Sequence, residues 1–468
     1  MRDLTARCLG REGDRVSGSA EIIDAMRRAV PAGRSRLNDA DMATLRGLTA
    51  TLIAARPQAA VEYARFRAVA GRALCLPEAE LACRLGGRTI VVTGGTGCIG
   101  STLLGQLAIR GPARLVSVSR GVTDGRPHQP GAEYRHADVT DRQSIERLLA
   151  DVRPDIVFHV AAQRSPALAE TEVHRTVSTN VLGTRNVLAA AAAAGVAQVV
   201  CASTGKALRP YSPEIYTASK RAAEWASTSA AASGDLLCSA ARFTHVIDNS
   251  IVHERMLAWA AGAGGETAIR LHSSEIAFYV QSALESAQLL LLAMLGAAPG
   301  EFRVHAIADL GWPVSLLDVA LGTLTARNSA TPVYISGYDP GYEEVAFPGL
   351  YDPMTAGDVS PLLNSFEAAA QVAAPCPMVN SFRLDMSPDP ATPKLFGDLD
   401  RVCDRTCDPR PIRQALDELS WSLLDATLAS ADLHTVARSA ALISPHEQTM
   451  SPAHRRVTRA IRLHSGQP

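Results

Sequence analysis

Tyr216 and Lys220 stand four residues apart in Tyr216-Thr-Ala-Ser-Lys220, which places both side chains on one face of a helix. A tyrosine hydroxyl with an ordinary pKa of about 10 is a poor base at neutral pH, and a neighbouring ammonium favours the phenolate. The pair therefore predicts a proton-transfer catalyst. Thr204 or Ser203, at the end of the preceding apolar segment, would hydrogen-bond a substrate hydroxyl. About 120 residues upstream, Thr93-Gly-Gly-Thr-Gly-Cys-Ile-Gly100 follows the apolar run 89–92 and leads into Ser101-Thr-Leu-Leu. Gly94 allows a tight turn, Gly97 a close approach of backbone to phosphate, and Gly100 close helix–strand packing. The helix opening at Ser101 supplies N–H donors and partial positive charge to a pyrophosphate, and Cys98 and Ile99 in the loop before it are expected to contact the cofactor. Glycine loop and Tyr/Lys pair together predict a nucleotide-cofactor oxidoreductase, with Lys220 also holding the nicotinamide ribose.

These residues need a scaffold that brings strand ends together. Candidate strands at 89–94, 114–119, 155–161, 198–203 and 236–243 alternate with helical stretches, among them the Ala-rich 183–195. That rhythm predicts an α/β fold with a Rossmann-type doubly wound parallel sheet, its site at the carboxyl ends of the strands. Residues 1–86 show helical spacing without strand alternation and are read as a packing or dimerisation prefix, so a homo-oligomer is expected. The sheet domain is assigned to 87–243 and a substrate-binding region of the same unit to 244–350. A loop-rich, then helical, C-terminal extension is assigned to 351–468, with 338–361 and 374–411 as loops and helix from 412. The basic run 453–462 reads as a solvated helix face.

Composition narrows the partners. A formal net charge of −1 gives no field favouring nucleic acid or an anionic membrane. The longest apolar run, 289–298, is half a membrane span and reads as a buried helix. Nine scattered cysteines read as reduced thiols of a cytoplasmic protein, and no metal set is completed around Cys403 and Cys407.

Further segments carry a resemblance over about 86–350. They include Ala137-Asp138-Val139, His159-Val-Ala-Ala, Ala169-Glu170, Thr179-Asn180-Val-Leu-Gly, Ser203-Thr204-Gly-Lys206-Ala207, Tyr216-Thr-Ala-Ser-Lys220-Arg-Ala-Ala-Glu224 and Ala241-Arg242-Phe243. With the glycine loop, these resemble an extended short-chain dehydrogenase/reductase. More narrowly they resemble the polysaccharide-biosynthesis branch that contains the UDP-N-acetylglucosamine inverting 4,6-dehydratases. The resemblance implies a nucleotide-activated sugar as partner and an oxidise, eliminate, reduce cycle. Tyr216 takes the 4-hydroxyl proton while hydride leaves carbon 4; a base then removes the proton at carbon 5, water leaves carbon 6, and hydride returns there. It also gives Lys206 a part in the later proton transfers and sets Asp138 and Val139 against the adenine, with Ala161 beside the cofactor.

The chain departs from that pattern. The family's Ser-Thr-Asp-Lys-Ala segment has glycine here at 205, and the stretch from Lys206 to Tyr216 is about two residues longer, with Glu214 as a substitute acid. The family's Arg-Tyr-Gly-Asn is Arg242-Phe-Thr-His245, and its Arg-Pro-Gly is Asp339-Pro-Gly. Dehydration, epimerisation and net oxidoreduction, the last including NADPH-dependent reduction of a natural product, therefore remain alternative outcomes. A non-catalytic nucleotide-binding role is the reading of another class. Substrate contacts are expected from Arg164, Asn180, Glu214, Arg242 and His245. At the end of the second strand, Ser119 replaces the usual acidic residue and Arg120 suits a 2′-phosphate, which favours NADP over NAD.

Overall fold

The computed structural model describes residues 9–121, 128–249, 251–261, 268–338, 359–384, 391–443 and 450–466. The alternation that begins at Thr89 builds a nine-stranded sheet. Its strands are β1 (Thr89–Thr93), β2 (Arg114–Ser119), β3 (Glu133–His136), β4 (Ile156–His159), β5 (Gln198–Thr204), β6 (Leu237–Phe243), β7 (Phe302–Ile307), β8 (Gln371–Val372) and β9 (Val379–Arg383). Their spatial order is β8-β9-β7-β6-β5-β4-β1-β2-β3. Strands β1 to β7 run parallel, and β9 pairs antiparallel with both β7 and β8. The central strands are apolar throughout because helices cover both faces; Val91, Val92, Val116, Phe158, Val199 and Val200 are buried completely. The order reverses between β1 and β4, and the crevice at their carboxyl ends is where such folds bind ligands.

The expected α/β class and doubly wound sheet are thus present. Residues 289–295 of the apolar run 289–298 lie in the buried helix Ala283–Leu295. No helix among the described residues is long and apolar enough to cross a membrane. One segment reading is corrected. Residues 374–411 are not all loop: they include β9, the helix Thr392–Arg405 and the start of the helix Pro409–Ser430. Each helix has a proline in its first turn, where the missing N–H costs nothing, and buries one stripe: Phe396, Leu399 and Cys403 in the first, Ile412, Leu416 and Leu419 in the second. Most of 338–361 lies outside the described residues.

The chain divides into two compact units; one boundary, after 244, falls within a residue of the sequence division at 243, and the others fall away from 86 and 350. The larger comprises 73–244, 283–310 and 340–468, and the smaller 1–72, 245–282 and 311–339. In the smaller unit the helices Asp39–Ala55, Gln58–Ala68 and Leu316–Ala326 bury Leu45, Leu52, Phe66 and Leu321 in one core with Tyr334. The N-terminal helices therefore share a core with segments from the middle of the chain, which their apolar stripes require.

One buried histidine ties sheet packing to pH. His305 on β7 holds Ser381 on β9 at 2.6 Å through Nδ1, and burial, with Arg303 assisting, pulls its pKa down to about 3. The unfolded chain binds a proton near the ordinary value of 6.5 and the folded chain refuses it, so this contribution is complete above 6.5 and shrinks as pH falls. The slope reaches at most about 1.4 kcal/mol per pH unit for one histidine. In urea unfolding, His305→Gln is expected to flatten the loss of stability below neutral pH. An unchanged slope would show that His305 is protonated in the folded state.

Candidate active site

The glycine loop begins where β1 stops. Gly94 has φ +73°, and a Cβ there would lie 2.7 Å from the Ala161 backbone nitrogen. A Cβ at Gly100 would collide with the Gly94 carbonyl, so the helix Cys98–Ala108 can start against the strand only because position 100 has no side chain. The N-cap residue of that helix is Gly97, and no side chain caps its first turn. A buried Cys98 and a half-buried Ile99 open the helix at the sheet's switch point. This is a cradle that fits a pyrophosphate. Thr93 Oγ1 on β1 is 2.8 Å from His159 Nδ1 on β4, and Thr184 Oγ1, on the helix Gly183–Ala193, is 3.0 Å from His159 Nε2, while burial and the Lys220 charge hold the imidazole at about 3, and so neutral.

At the cradle's outer edge, Arg120 Nη1 lies 4.0 Å from Asp138 Oδ2, both side chains partly exposed. Asp138 Oδ1 accepts from the Thr140 backbone and hydroxyl at 2.9 Å each. Ser119 Oγ accepts from the Gly121 N–H at 3.4 Å. Val139 is buried, its methyl filling the space in front of Gly183. Ser119, Arg120, Asp138 and Val139 therefore gather where β2 and β3 end.

Tyr216 sits in the first turn of the helix Ile215–Ala232, with Lys220 one turn later. Glu170 sets the start of that helix: its Oε1 accepts from the Ile215 N–H at 2.9 Å, and Arg413 holds its Oε2 at 2.6 Å. The Thr204 hydroxyl, at the last residue of β5, favours the ionised form of Tyr216. Burial pushes the phenol above its ordinary value; Thr204 and the positive charge of Arg164 oppose this. Lys220 Nζ donates to the Ala202 carbonyl at 2.7 Å. Burial draws its pKa down, opposed by negative charge including that of Glu224. Ser203 is engaged within the protein. Neighbouring residues on a strand face opposite ways, and Ser203 Oγ donates inward to Glu224 at 2.6 Å.

After Thr204 the chain makes a short 3₁₀ turn, Gly205–Leu208. Lys206 Nζ lies 3.5 Å from Glu214 Oε2, which also accepts from Thr217 Oγ1 at 2.8 Å and faces Arg209 at 3.5 Å. Glu214 is buried, and its second oxygen has no protein partner. The candidate acid is therefore enclosed at the head of the Tyr216 helix beside Lys206.

Two expected substrate contacts are corrected. Arg242 is completely buried and wholly engaged by protein. It donates to both oxygens of Glu224 at 2.8 and 2.7 Å, to Glu367 at 2.6 and 2.8 Å, and to the Leu362 carbonyl at 3.0 Å. Asn180 is likewise inward-facing: its Oδ1 accepts from Gln163 N at 2.8 Å, and its Nδ2 donates to Gln163 O and Ser219 Oγ at 3.0 Å each. It ties the loop after β4 to the Tyr216 helix. Arg164 is exposed on that loop. His245 belongs to the smaller unit, 4.9 Å from Phe278, and burial, with His253 nearby, pulls its pKa down to about 4.

Sequence reasoning missed Glu367 and Arg221, which complete the cluster around Arg242. The signal for Arg221 and Glu224 lay in the helix: residues one and four past Lys220 flank its inner face. Glu367 carried none.

Residues 90–345 match the family described as polysaccharide biosynthesis protein. The chain is 27% identical over 288 residues to the probable polysaccharide biosynthesis protein EpsC of Bacillus subtilis, covering 58% of this chain and 47% of that protein. It is 27% identical over 287 residues to the capsular polysaccharide biosynthesis protein CapD of Staphylococcus aureus, with the same coverage. The chain thus spans about half the length of these curated relatives. Among solved structures, Pen from Bacillus thuringiensis aligns with a TM-score of 0.54 at 20% identity, over 65% of this chain and 90% of that one, a likeness of fold.

Proposed function

The chain belongs to the polysaccharide biosynthesis protein family, and on that premise we propose that it is an enzyme that modifies a nucleotide-activated sugar through a 4-keto intermediate. The observation that carries this is Tyr216 in the first turn of its helix with Lys220 one turn away, Lys220 bonded to the Ala202 carbonyl on β5, in the same unit as a glycine cradle at the sheet's switch point. A nicotinamide cofactor fits the cradle and would accept and return the hydride at carbon 4. Tyr216 takes the proton of the 4-hydroxyl as the hydride leaves and gives it back when hydride returns. Thr204 and Arg164 favour the anionic form of the phenol, and Lys220 is set by Ala202 to reach the ribose. The test is to add UDP-N-acetylglucosamine or UDP-glucose to the purified chain with cofactor, and to follow nicotinamide absorbance and product mass. Transient reduction with no net consumption of cofactor is expected. Stoichiometric consumption would point instead to a reductase of another ketone, and cofactor bound without turnover to a binding protein.

For the cofactor, Arg120 at the end of β2 and the absence of a carboxylate at Ser119 favour NADP. Arg120→Ala is expected to weaken NADP by about 1.5 kcal/mol, the low end for a charge-assisted contact because the guanidinium is half exposed, and NAD much less. Equal losses in titrations of both cofactors would mean that Arg120 reads no phosphate and that Asp138 sets the choice.

A further inference from the structure

Gly205 lies between Thr204, which favours the Tyr216 phenolate, and Lys206, which faces Glu214. A side chain at 205 would therefore enter the site at the point where the resemblance places an acid. The space it would need is taken. A Cβ built on Gly205 falls 2.5 Å from Leu362 Cδ2, 3.4 Å from its Cγ and 3.6 Å from its Cβ. Leu362 comes from a segment outside the family-matched residues 90–345. It is buried, and its backbone is pinned from several sides. Its carbonyl accepts from Arg242 at 3.0 Å, and its N–H donates to Ser360 Oγ at 3.3 Å. Two residues on, Asn364 Nδ2 donates to Leu208 O at 2.5 Å, at the far end of the 3₁₀ turn, and also makes a capping box with Glu367. Glu367 in turn binds Arg242 and Arg221. The segment 360–367 is thus fastened both to the turn that carries Lys206 and to the strand beside it.

We propose that Leu362 is a specificity-determining residue: it fills the side-chain space at position 205 and so keeps a proton donor for a leaving hydroxide at carbon 6 from standing there, while Glu214 is tied through Oε2 to Thr217, Lys206 and Arg209. This rests on the 4-keto reading above. In that scheme Tyr216 takes the 4-hydroxyl proton as hydride passes from carbon 4 to the oxidised cofactor. Expelling the carbon 6 oxygen requires breaking the C5–H bond and protonating the leaving hydroxide to water, and no acid stands at 205 to do so. The hydride instead returns to carbon 4, to either face of the sugar, as Tyr216 gives its proton back to the carbon 4 oxygen, so that proton, hydride and cofactor all balance. The product is an isomer of the substrate, with the carbon 6 hydroxyl in place.

The test uses the full chain with cofactor and the nucleotide sugar that gives Tyr216-dependent cofactor reduction. Wild type is expected to give product of unchanged mass and no deuterium at carbon 5 in heavy water. Gly205→Asp together with Leu362→Ala is expected to exchange the carbon 5 proton and to yield product lighter by one water. Loss of water by wild type overturns the proposal. So does a folded double variant that retains hydride transfer but gains no carbon 5 exchange. The absence of Tyr216-dependent hydride transfer with any nucleotide sugar overturns the 4-keto reading, and the proposal with it. Thermal unfolding checks the packing without substrate. Gly205→Ala should lower the melting temperature, and Leu362→Ala in the same chain should regain part of that loss; additive losses would show that the two positions do not compete for space.

Discussion

Tyr216→Phe is expected to lower turnover of the nucleotide sugar by about 10²–10⁴-fold, the contribution of one positioned acid–base group, and to leave cofactor affinity nearly unchanged. The substitution removes only the phenolic oxygen. The ring stays in the first turn of a helix whose start is fixed by Glu170, and Lys220 keeps its bond to Ala202. Thr204 still accepts from the Lys206 N–H at 3.3 Å. Single-turnover cofactor reduction reads the loss, and equilibrium cofactor titration reads what is retained. Arg164→Gln separates electrostatics from structure. Arg164 favours the phenolate from an exposed position, so removing its charge raises the Tyr216 pKa. The rising limb of the pH–rate profile should then move to higher pH, with no change in melting temperature. Turnover by Tyr216→Phe at the wild-type rate would remove Tyr216 from the chemistry.

The residues that could be read from sequence are those whose roles depend on close neighbours. The glycine cradle is one continuous stretch, and the Tyr216/Lys220 pair needs only helical spacing. Strands β1, β2, β4, β5 and β6 stood out because burial on both faces demands unbroken apolar runs. β3 did not, because Glu133, Tyr134, Arg135 and His136 form a partly exposed edge with polar side chains. Ser203 and Thr204 were distinguishable in principle, since alternation along β5 sends them to opposite faces. Arg242 was misread for a different reason. An arginine at a strand end looks like a substrate clamp until its partners are known, and those partners lie 18 and 125 residues away. The space in front of Gly205 was equally hidden, because Leu362 reaches it from beyond the family-matched region. The loss of an acid at 205 could be read locally, but what fills its place could not.

Arg242→Met is expected to destabilise the larger unit by about 3–5 kcal/mol, the usual cost of breaking a buried ion pair from one side. Arg242 and Arg221 together face Glu224 and Glu367, four formal charges that cancel, with every side chain at most 3% exposed. Burial alone would lower the arginine's pKa, yet the two carboxylates raise it, and Arg242 in turn holds Glu224 below its usual range against burial. Without the guanidinium, two carboxylates share only Arg221, and the Leu362 carbonyl loses a donor. Replacing Glu224 alone by glutamine in the same chain leaves Arg221 paired with Glu367 and should recover part of the loss, because uncompensated charge, and not lost volume, is the main cost. Chemical denaturation of the three forms measures this. Catalysis should suffer as well, through position: Glu224 anchors Ser203, the residue before Thr204, and Glu367 anchors the segment that packs on the Lys206 turn. Residual Arg242→Met enzyme, assayed below its melting temperature, should therefore show a lower kcat with little change in cofactor affinity. A stable Arg242→Met protein with a normal kcat would show that this cluster neither holds the unit together nor sets the site.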